Sequence, residues 1–186
     1  MRPRPVGFKG PVEPGDRPPI HTFRAEGTLM PVVEESLLIR APQQPLFDLA
    51  QDYRLRLAWD PFLRDLRFLG DAREAALGVR VWVKAWTRLT MVVEYVALNR
   101  PEVAAMKMVE GPAFLQQFAG SWRFKPHPDG STEVIFRYVF ETRWRRLRWL
   151  VDPMVGWVFG RDTRKRLRGL KRGAERLGLL ADRDPR

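Results

Sequence analysis

The central part of the chain alternates hydrophobic and polar residues with a period of two. The alternation is clearest at Val79, Val81 and Val83, and it returns at Phe136, Tyr138 and Phe140. Successive side chains of a strand point to opposite faces, so this period is typical of sheets with one buried face. It predicts strands over residues 79–85, 91–98, 103–109, 114–124 and 132–142. We expect these strands to form an antiparallel meander.

Segments with helical spacing flank the meander. A strand over 32–39 precedes apolar residues at helical spacing in 46–53 and 57–63, which predicts two short helices. Pro61 interrupts the second of them. From residue 143 to 180 the helical period returns, with an apolar stripe on one side and basic residues on the other. This segment predicts one long terminal helix.

The predicted fold class is α+β, with the element order of the helix-grip fold. In that arrangement a curved antiparallel sheet of about six to seven strands wraps around a long C-terminal helix, and two short helices follow the first strand. Residues 1–30 are rich in proline, glycine and charge, which predicts a flexible arm. We expect one domain over residues 31–180 and a short tail over 181–186.

Composition narrows the possible chemistry. The chain of 186 residues has no cysteine, which excludes disulfides and thiolate chemistry, and its two histidines are far apart at His21 and His127. We therefore expect no metal and no cofactor. No secretory leader and no spanning segment of about 20 apolar residues is evident, which predicts a cytoplasmic protein. The oligomeric state stays open.

Several short motifs carry a likeness to a known family. They are Glu35 to Pro42 before Leu46-Phe47-Asp48-Leu49, Trp59-Asp60-Pro61-Phe62, Gly111-Pro112, Gly120 to Phe124 and Asp129 to Val134. On these motifs the chain resembles the polyketide cyclase/dehydrase branch of the START-like (SRPBCC) superfamily over about residues 32–178. The resemblance implies a deep cavity between sheet and terminal helix. Such cavities hold polyketides, lipids, sterols, quinone-related molecules or plant hormones.

The inward face of the predicted sheet and helix supplies the candidate cavity lining. Large apolar residues dominate it, with methionines that adapt to irregular shapes and aromatic residues with polar ends. For any single residue, ordinary core packing explains the pattern equally well. We expect the ligand to contact Trp59, Tyr95, Met106, Met108, Gln116, Phe118, Trp122, Phe136, Tyr138, Phe140, Met154 and Val158. Because one helix over a curved sheet leaves a gap, we expect ligand-sized space there.

The net charge of +11 favours an acidic partner. The positive charge is densest in a run of arginines and lysines on the terminal helix, between residues 161 and 176, which includes Arg166 and Arg176. A solvated helix face is the alternative interpretation of this run. The candidate contacts with an anionic membrane are Arg161, Arg164, Lys165, Arg168, Lys171 and Arg172.

Three functions fit these features. The first is binding or transport of a small hydrophobic ligand that is lipid-like, quinone-related or polyketide-like. The second is catalysis by a cyclase, aromatase or dehydratase on a ligand held in the same cavity. The third, nucleic-acid binding through the basic surface, is the least favoured. The sequence identifies no catalytic residue and leaves open whether the protein is an enzyme.

Overall fold

The computed structural model describes residues 20–25 and 28–180. Its helices are grouped after the second strand and at the end of the described chain, with the other strands between them. The elements are β1 (Ile20–Ala25), β2 (Thr28–Ile39), α1 (Gln43–Gln51), α2 (Tyr53–Trp59), β3 (Leu63–Phe68), β4 (Arg80–Ala85), β5 (Thr90–Asn99), β6 (Val103–Glu110), β7 (Leu115–Pro126), β8 (Thr132–Thr142) and α3 (Arg148–Arg176). A short 3-10 turn, Arg145–Leu147, leads into α3.

The eight strands form one antiparallel sheet in the order β1-β2-β8-β7-β6-β5-β4-β3. All pairs except β2 with β8 are consecutive along the chain, as expected for a meander. The β2–β8 pair attaches the β1–β2 hairpin to the last strand of the β3–β8 meander, with Glu35 opposite Phe136. Helices α1 and α2 fill the connection from β2 to β3, and α3 packs on β2, β8, α1 and α2. This arrangement confirms the predicted helix-grip fold.

Two elements differ from the sequence prediction. Residues Leu63–Phe68 form strand β3, whereas the sequence predicted that the second short helix continues to residue 63. The reason is that Asp60 ends α2 and Pro61 cannot continue it, so the chain leaves the helix extended. Strand β1 lies within residues 1–30, where a flexible arm was predicted, and it raises the strand count to eight. Residues 1–19, 26–27 and 181–186, including the rest of the arm and the tail, lie outside the described residues.

The core lies between the concave face of the sheet and the three helices. Its centre is aromatic: Trp122 and Phe124 of β7 stack on each other and pack edge-to-face against Trp59 of α2 and Phe47 of α1, respectively. These four side chains are buried. The alternation of β8 is preserved in full, because Val134, Phe136, Tyr138 and Phe140 all point inward. The sheet therefore presents one continuous apolar face to the helices.

Candidate functional site

A cavity of about 50 Å³ lies between the sheet and the helices, beside this aromatic core. Strands β4 to β8 supply most of its wall, and α2 and α3 supply the polar part. The apolar lining consists of Phe62, Leu63, Val83, Met91, Val93, Met106, Phe118 and Phe136. Typical ligand pockets measure about 300–1,000 Å³, so the space in this conformation is much smaller than the sequence led us to expect. Side chains fill most of the predicted gap.

The polar part of the wall is a buried cluster of Arg56, Asp60, Arg166 and Tyr138. One carboxylate oxygen of Asp60, Oδ2, accepts from Nε of Arg56 at 3.2 Å and from Nε and Nη2 of Arg166 at 3.2 and 2.8 Å. The second oxygen, Oδ1, accepts from the Phe62 N–H at 3.1 Å. The remaining contacts are Arg56 Nη1 with the Ala50 carbonyl and Arg166 Nη1 with the Tyr138 hydroxyl. Two guanidinium groups thus share one carboxylate.

Aromatic rings surround both guanidinium groups. The Arg166 guanidinium lies 4.6 Å from the ring centre of Phe136 and 4.8 Å from that of Phe62. Arg56 lies 5.4 Å from the ring centres of both Trp59 and Trp122. Cation–π attraction of this kind partly compensates the loss of hydration. It supplies no anionic hydrogen-bond acceptor.

A second polar group adjoins this cluster, since the Arg56 guanidinium lies 5.8 Å from the ring centre of Tyr53. The hydroxyl groups of Tyr53 and Tyr95 are 2.7 Å apart, and Tyr95 donates to Oε1 of Gln51 at 2.9 Å. The Tyr53 hydroxyl also lies 3.8 Å from the sulfur of Met106, which lines the cavity. This network therefore links the cavity wall to α1.

Burial keeps the tyrosines neutral. It raises the pKa of Tyr138 to about 12, against the opposing influence of Arg166. Burial also raises the pKa of Tyr53 and, more strongly, that of Tyr95. At neutral pH these phenols are hydrogen-bonding groups and not bases.

An outer cleft of about 220 Å³ lies on the far side of Phe62. Arg64, Trp86, Asp162 and Lys165 form its walls, with Pro61 and Phe62. Phe62 lines both spaces, so its side chain borders the cavity as well as the cleft. The two spaces together come near the lower end of the size range of ligand pockets, about 300 Å³.

The predicted lining residues fall into three groups. Met106, Phe118, Phe136 and Tyr138 line the cavity. Trp59, Tyr95, Trp122 and Phe140 are buried in the core, and Met108 packs against it. Val158 is partly buried. Gln116 and Met154 are exposed.

The two exposed residues have separate causes. A β-bulge between Leu115 and Gln117 changes the pairing of β7 with β8, so that Gln116 points to solvent and the inward alternation starts at Phe118. On α3, Val151 and Val155 are buried, whereas Met154 is 62% exposed and lies on the outer side of the helix. The inward stripe predicted from the sequence therefore combined residues from two different faces of α3.

Sequence reasoning missed the polar cluster. The sequence places Arg166 in the cationic run, as a residue that faces a membrane or solvent, yet it is buried together with Arg56 and Asp60. The spacing of four residues between Arg56 and Asp60 was the available signal, because it suits an ion pair on one helix face. No neighbouring residue in the sequence indicates that Arg166 is buried, because its partner Asp60 lies 106 residues away along the chain.

The six predicted membrane contacts remain largely at the surface. Lys165 is partly buried in the outer cleft, and the others are exposed. They are Arg161, Arg164, Arg168, Lys171 and Arg172. Arg164 pairs with Glu35 of β2 at 3.5 Å. Within the described residues no helix is long and apolar enough to cross a membrane. No three acidic or histidine side chains of that part of the chain come together as a metal site.

Comparison with solved structures identifies proteins of the same fold. A START superfamily protein from Mycobacterium smegmatis is 13% identical, covers 78% of this chain and 98% of its own, and gives a TM-score of 0.66. A protein from Thermus thermophilus is 20% identical over 79% of this chain and 99% of its own, with a TM-score of 0.67. The Zhui aromatase/cyclase from a Streptomyces species is 18% identical over 79% of this chain and 94% of its own, with a TM-score of 0.65.

Comparison with curated protein sequences finds no match. At these identities the solved structures establish the fold alone. The sequence itself matches one family description, polyketide cyclase/dehydrase and lipid transport, over residues 30–175, which span β2 to α3 and so include the whole cavity wall. The chain therefore belongs to the polyketide cyclase/dehydrase and lipid transport family.

Proposed function

We propose that the protein binds a small hydrophobic molecule between the sheet and α3 and carries it to or from a membrane surface. The observation that carries this proposal is the apolar cavity with buried polar groups in a chain of this family. Ligand sites of this kind combine an apolar wall with a few placed polar groups. Carriage requires no reacting residue, which agrees with the high pKa of Tyr138.

Entry of the ligand requires Phe62 to move. Its ring borders both the cavity and the cleft, and its partly buried position leaves room for a rotation that would join the two spaces. Met91 and Met106 on the opposite wall have flexible side chains that can adapt to a guest. A molecule larger than a few atoms would therefore occupy both spaces.

The test uses N-phenyl-1-naphthylamine, a neutral probe whose emission rises in apolar surroundings. We expect saturable one-to-one binding, weakened by Met106→Trp, which fills the cavity, and strengthened by Phe62→Ala, which opens it. Leu77→Ala, an exposed position, is the control and should leave affinity unchanged. Absence of saturable binding by the wild-type protein would refute carriage in this cavity.

The membrane part of the proposal depends on the N-terminal half of α3. A stripe on its outer side exposes Leu147, Leu150, Met154 and Trp157, and the neighbouring Trp149 is 76% exposed. We call these five residues the apolar stripe. Exposed apolar patches of this kind mark interaction sites. Tryptophan beside arginine suits the boundary between lipid head groups and acyl chains.

Charge selects an anionic lipid bilayer as the partner. Arg143 and Arg146 are exposed before the stripe, and the Arg161 guanidinium lies 5.9 Å from the Trp157 ring after it. The exposed basic residues of α3 continue the same positive surface toward its C-terminus. The apolar stripe thus supplies insertion, and the basic residues supply attraction to lipid head groups.

Sedimentation with vesicles of phosphatidylcholine, with and without phosphatidylserine, tests this part. We expect binding only to the anionic vesicles, falling with salt, and loss of about tenfold or more in affinity for Trp149→Ser/Trp157→Ser. Leu55→Ser/Leu57→Ser, at exposed leucines of α2, is the control. Binding that ignores the stripe, or a stable dimer that covers it in solution, would contradict membrane docking.

Cyclase activity is the second candidate. The likeness to the Zhui aromatase/cyclase favours it, as does the hydroxyl group of Tyr138 inside the cavity. Incubation with a poly-β-keto thioester should then give a cyclised product, and Tyr138→Phe should slow its formation. Nucleic-acid binding has less support. Trp82 and Trp86 are aromatic residues beside cations on the outer face of β4 and just after it, where they could stack on bases. Trp82 instead packs under Arg67 at 4.5 Å, and Trp86 contacts Asp162 and Lys165.

A further inference from the structure

The charges of the buried cluster do not balance. Arg56 and Arg166 carry two positive charges, and Asp60 is their one carboxylate partner within the described part of the chain. Tyr138 is neutral at physiological pH because of its raised pKa. A buried, uncompensated charge costs several kcal/mol, so such groups are normally paired. The cluster is therefore short of one negative charge.

The nearest other carboxylate, Asp162, does not supply it. Its Oδ2 accepts from the indole N–H of Trp86 at 3.4 Å in the outer cleft. Lys165 lines the same cleft, so that cleft contains its own cation. Asp162 attracts Arg166 through space but makes no ion pair with it in the described residues, so Asp60 is the one carboxylate there that contacts the two guanidinium groups.

Hydrogen-bond donors also outnumber acceptors in this region. The buried indole N–H groups of Trp59 and Trp122, whose rings flank Arg56, have no partner among the described residues. The same holds for Nε2 of Gln51. The Nη2 atom of Arg56 makes no hydrogen bond there either, while Oδ2 of Asp60 already accepts three. What the site lacks is an anionic acceptor.

We propose that Arg56 and Arg166 hold the carboxylate of an apolar carboxylic acid in this cavity. The inference deepens the proposed function and rests on it, because it assigns a chemical class to the carried molecule. A guanidinium fork matches a planar carboxylate, and charge-assisted hydrogen bonds of this type are about twice as strong as neutral ones. The space of about 50 Å³ fits a group of that size beside the two arginines. The apolar part of the acid would pass Phe62 into the outer cleft.

The electrostatics of the cleft agree with this route. Arg64 and Lys165 line the cleft together with Asp162, which leaves one net positive charge there. Positive groups at an entrance raise the local concentration of an anion and its rate of association. A neutral molecule gains nothing from them.

Competition against bound N-phenyl-1-naphthylamine tests the inference with a matched pair of competitors, decanoate and 1-decanol. We expect the wild-type protein at pH 7.5 to bind decanoate at least about tenfold more tightly than decanol. Arg166→Met should remove this preference, measured as the ratio of the two competition constants in the same variant. Arg168→Met, an exposed position on the same helix, should keep the preference.

A measurement on the wild-type protein covers the case in which Arg166→Met does not fold. In an NMR titration of decanoate labelled with carbon-13 at its carboxyl group, the pKa of bound decanoate should be lowered by at least about one unit relative to free decanoate. If the probe binds but decanoate has no advantage over decanol and no lowered pKa, the two arginines are a structural cluster only. That result overturns this inference and leaves the proposed function standing. If the probe itself does not bind, both fail.

Discussion

The two halves of α3 have the same helical geometry but opposite surroundings. In the C-terminal half, Leu167, Leu170 and Ala174 are buried against the sheet and the short helices. The N-terminal half buries Val151 and Val155 on one side and leaves the apolar stripe exposed on the other. Hydrophobicity is therefore a poor guide to burial within this helix. What differs is the presence of α1 and α2, which cover only the C-terminal half.

Each half also has its own polar anchor. The C-terminal half is tied to the end of α2 through Arg166 and Asp60, which are both buried. The N-terminal half is tied to β8 through Thr142, whose hydroxyl donates to Oδ1 of Asp152 at 2.7 Å. The first anchor is ionic and central to the core. We therefore expect the two halves to contribute unequally to the stability of the fold.

Removal of the central anchor should have the largest effect. Asp60→Leu leaves two buried guanidinium groups without a carboxylate, and we expect the free energy of unfolding to fall by about 3–5 kcal/mol. Urea denaturation followed by circular dichroism measures the change. Asp48→Leu, which removes an exposed carboxylate paired with Arg100, is the control and should stay within about 1 kcal/mol. Equal losses in both variants would show that the buried cluster contributes nothing specific.

Truncation of an apolar side chain compares the halves directly. Leu170→Ala in the C-terminal half should cost about 2–5 kcal/mol, because it removes buried surface and leaves a cavity. Met154→Ala in the N-terminal half should change stability by no more than about 0.5 kcal/mol, since this side chain is 62% exposed. Thermal unfolding of both variants measures the difference. A comparable loss for Met154→Ala would mean that a partner covers the apolar stripe in solution.

High pH should weaken the region where both halves of α3 meet the sheet. Tyr138 contacts Arg166 from one half and Phe159 from the other, and burial raises its pKa to about 12. A phenol whose pKa is raised on folding stabilises the fold fully below pH 10, its ordinary value. That contribution is lost as the pH rises toward 12, and about two pKa units correspond to about 3 kcal/mol.

Absorbance at 295 nm measures this titration. The chain has three tyrosines, and burial raises the pKa of each. Tyrosinate should therefore appear in the native protein only above pH 10, together with unfolding, and near pH 10 in denaturant. A tyrosine that titrates normally in the native state would contradict the closed cavity. Tyr138→Phe should reduce the alkaline loss of stability.

The glycines of α3 offer the smallest test. A β-carbon at Gly169 would lie 2.3 Å from the backbone oxygen of Trp59, so Gly169→Ala forces the helix away from α2 and should cost about 1–3 kcal/mol. At Gly160 the closest atom would lie at 3.6 Å, in ordinary contact. Gly160→Ala should stabilise the protein by up to about 1 kcal/mol through helix propensity. Chemical denaturation of both variants checks that the signs are opposite.

Local periodicity predicted most of the fold because its information is contained in neighbouring residues. The alternation of β8 and the helical period after residue 142 determined element type, and the predicted inward residues Met106, Phe118, Phe136 and Tyr138 all line the cavity. Periodicity failed at Gln116, where a bulge inserts one residue into the pattern. It failed again at Met154, because an apolar residue on a helix does not indicate which neighbour will cover it.

The sequence by itself determined the fold class, the family and the inward face of the sheet, which follow from periodicity and from motifs a few residues long. Only the tertiary structure decided which charges are buried. Arg166 has the same side chain as the exposed arginines around it and belongs to the same basic run. Its burial depends on Asp60, which lies 106 residues away along the chain at the end of α2. The tertiary structure also decided the size of the cavity, because the volume left between sheet and helix depends on how all the side chains pack together.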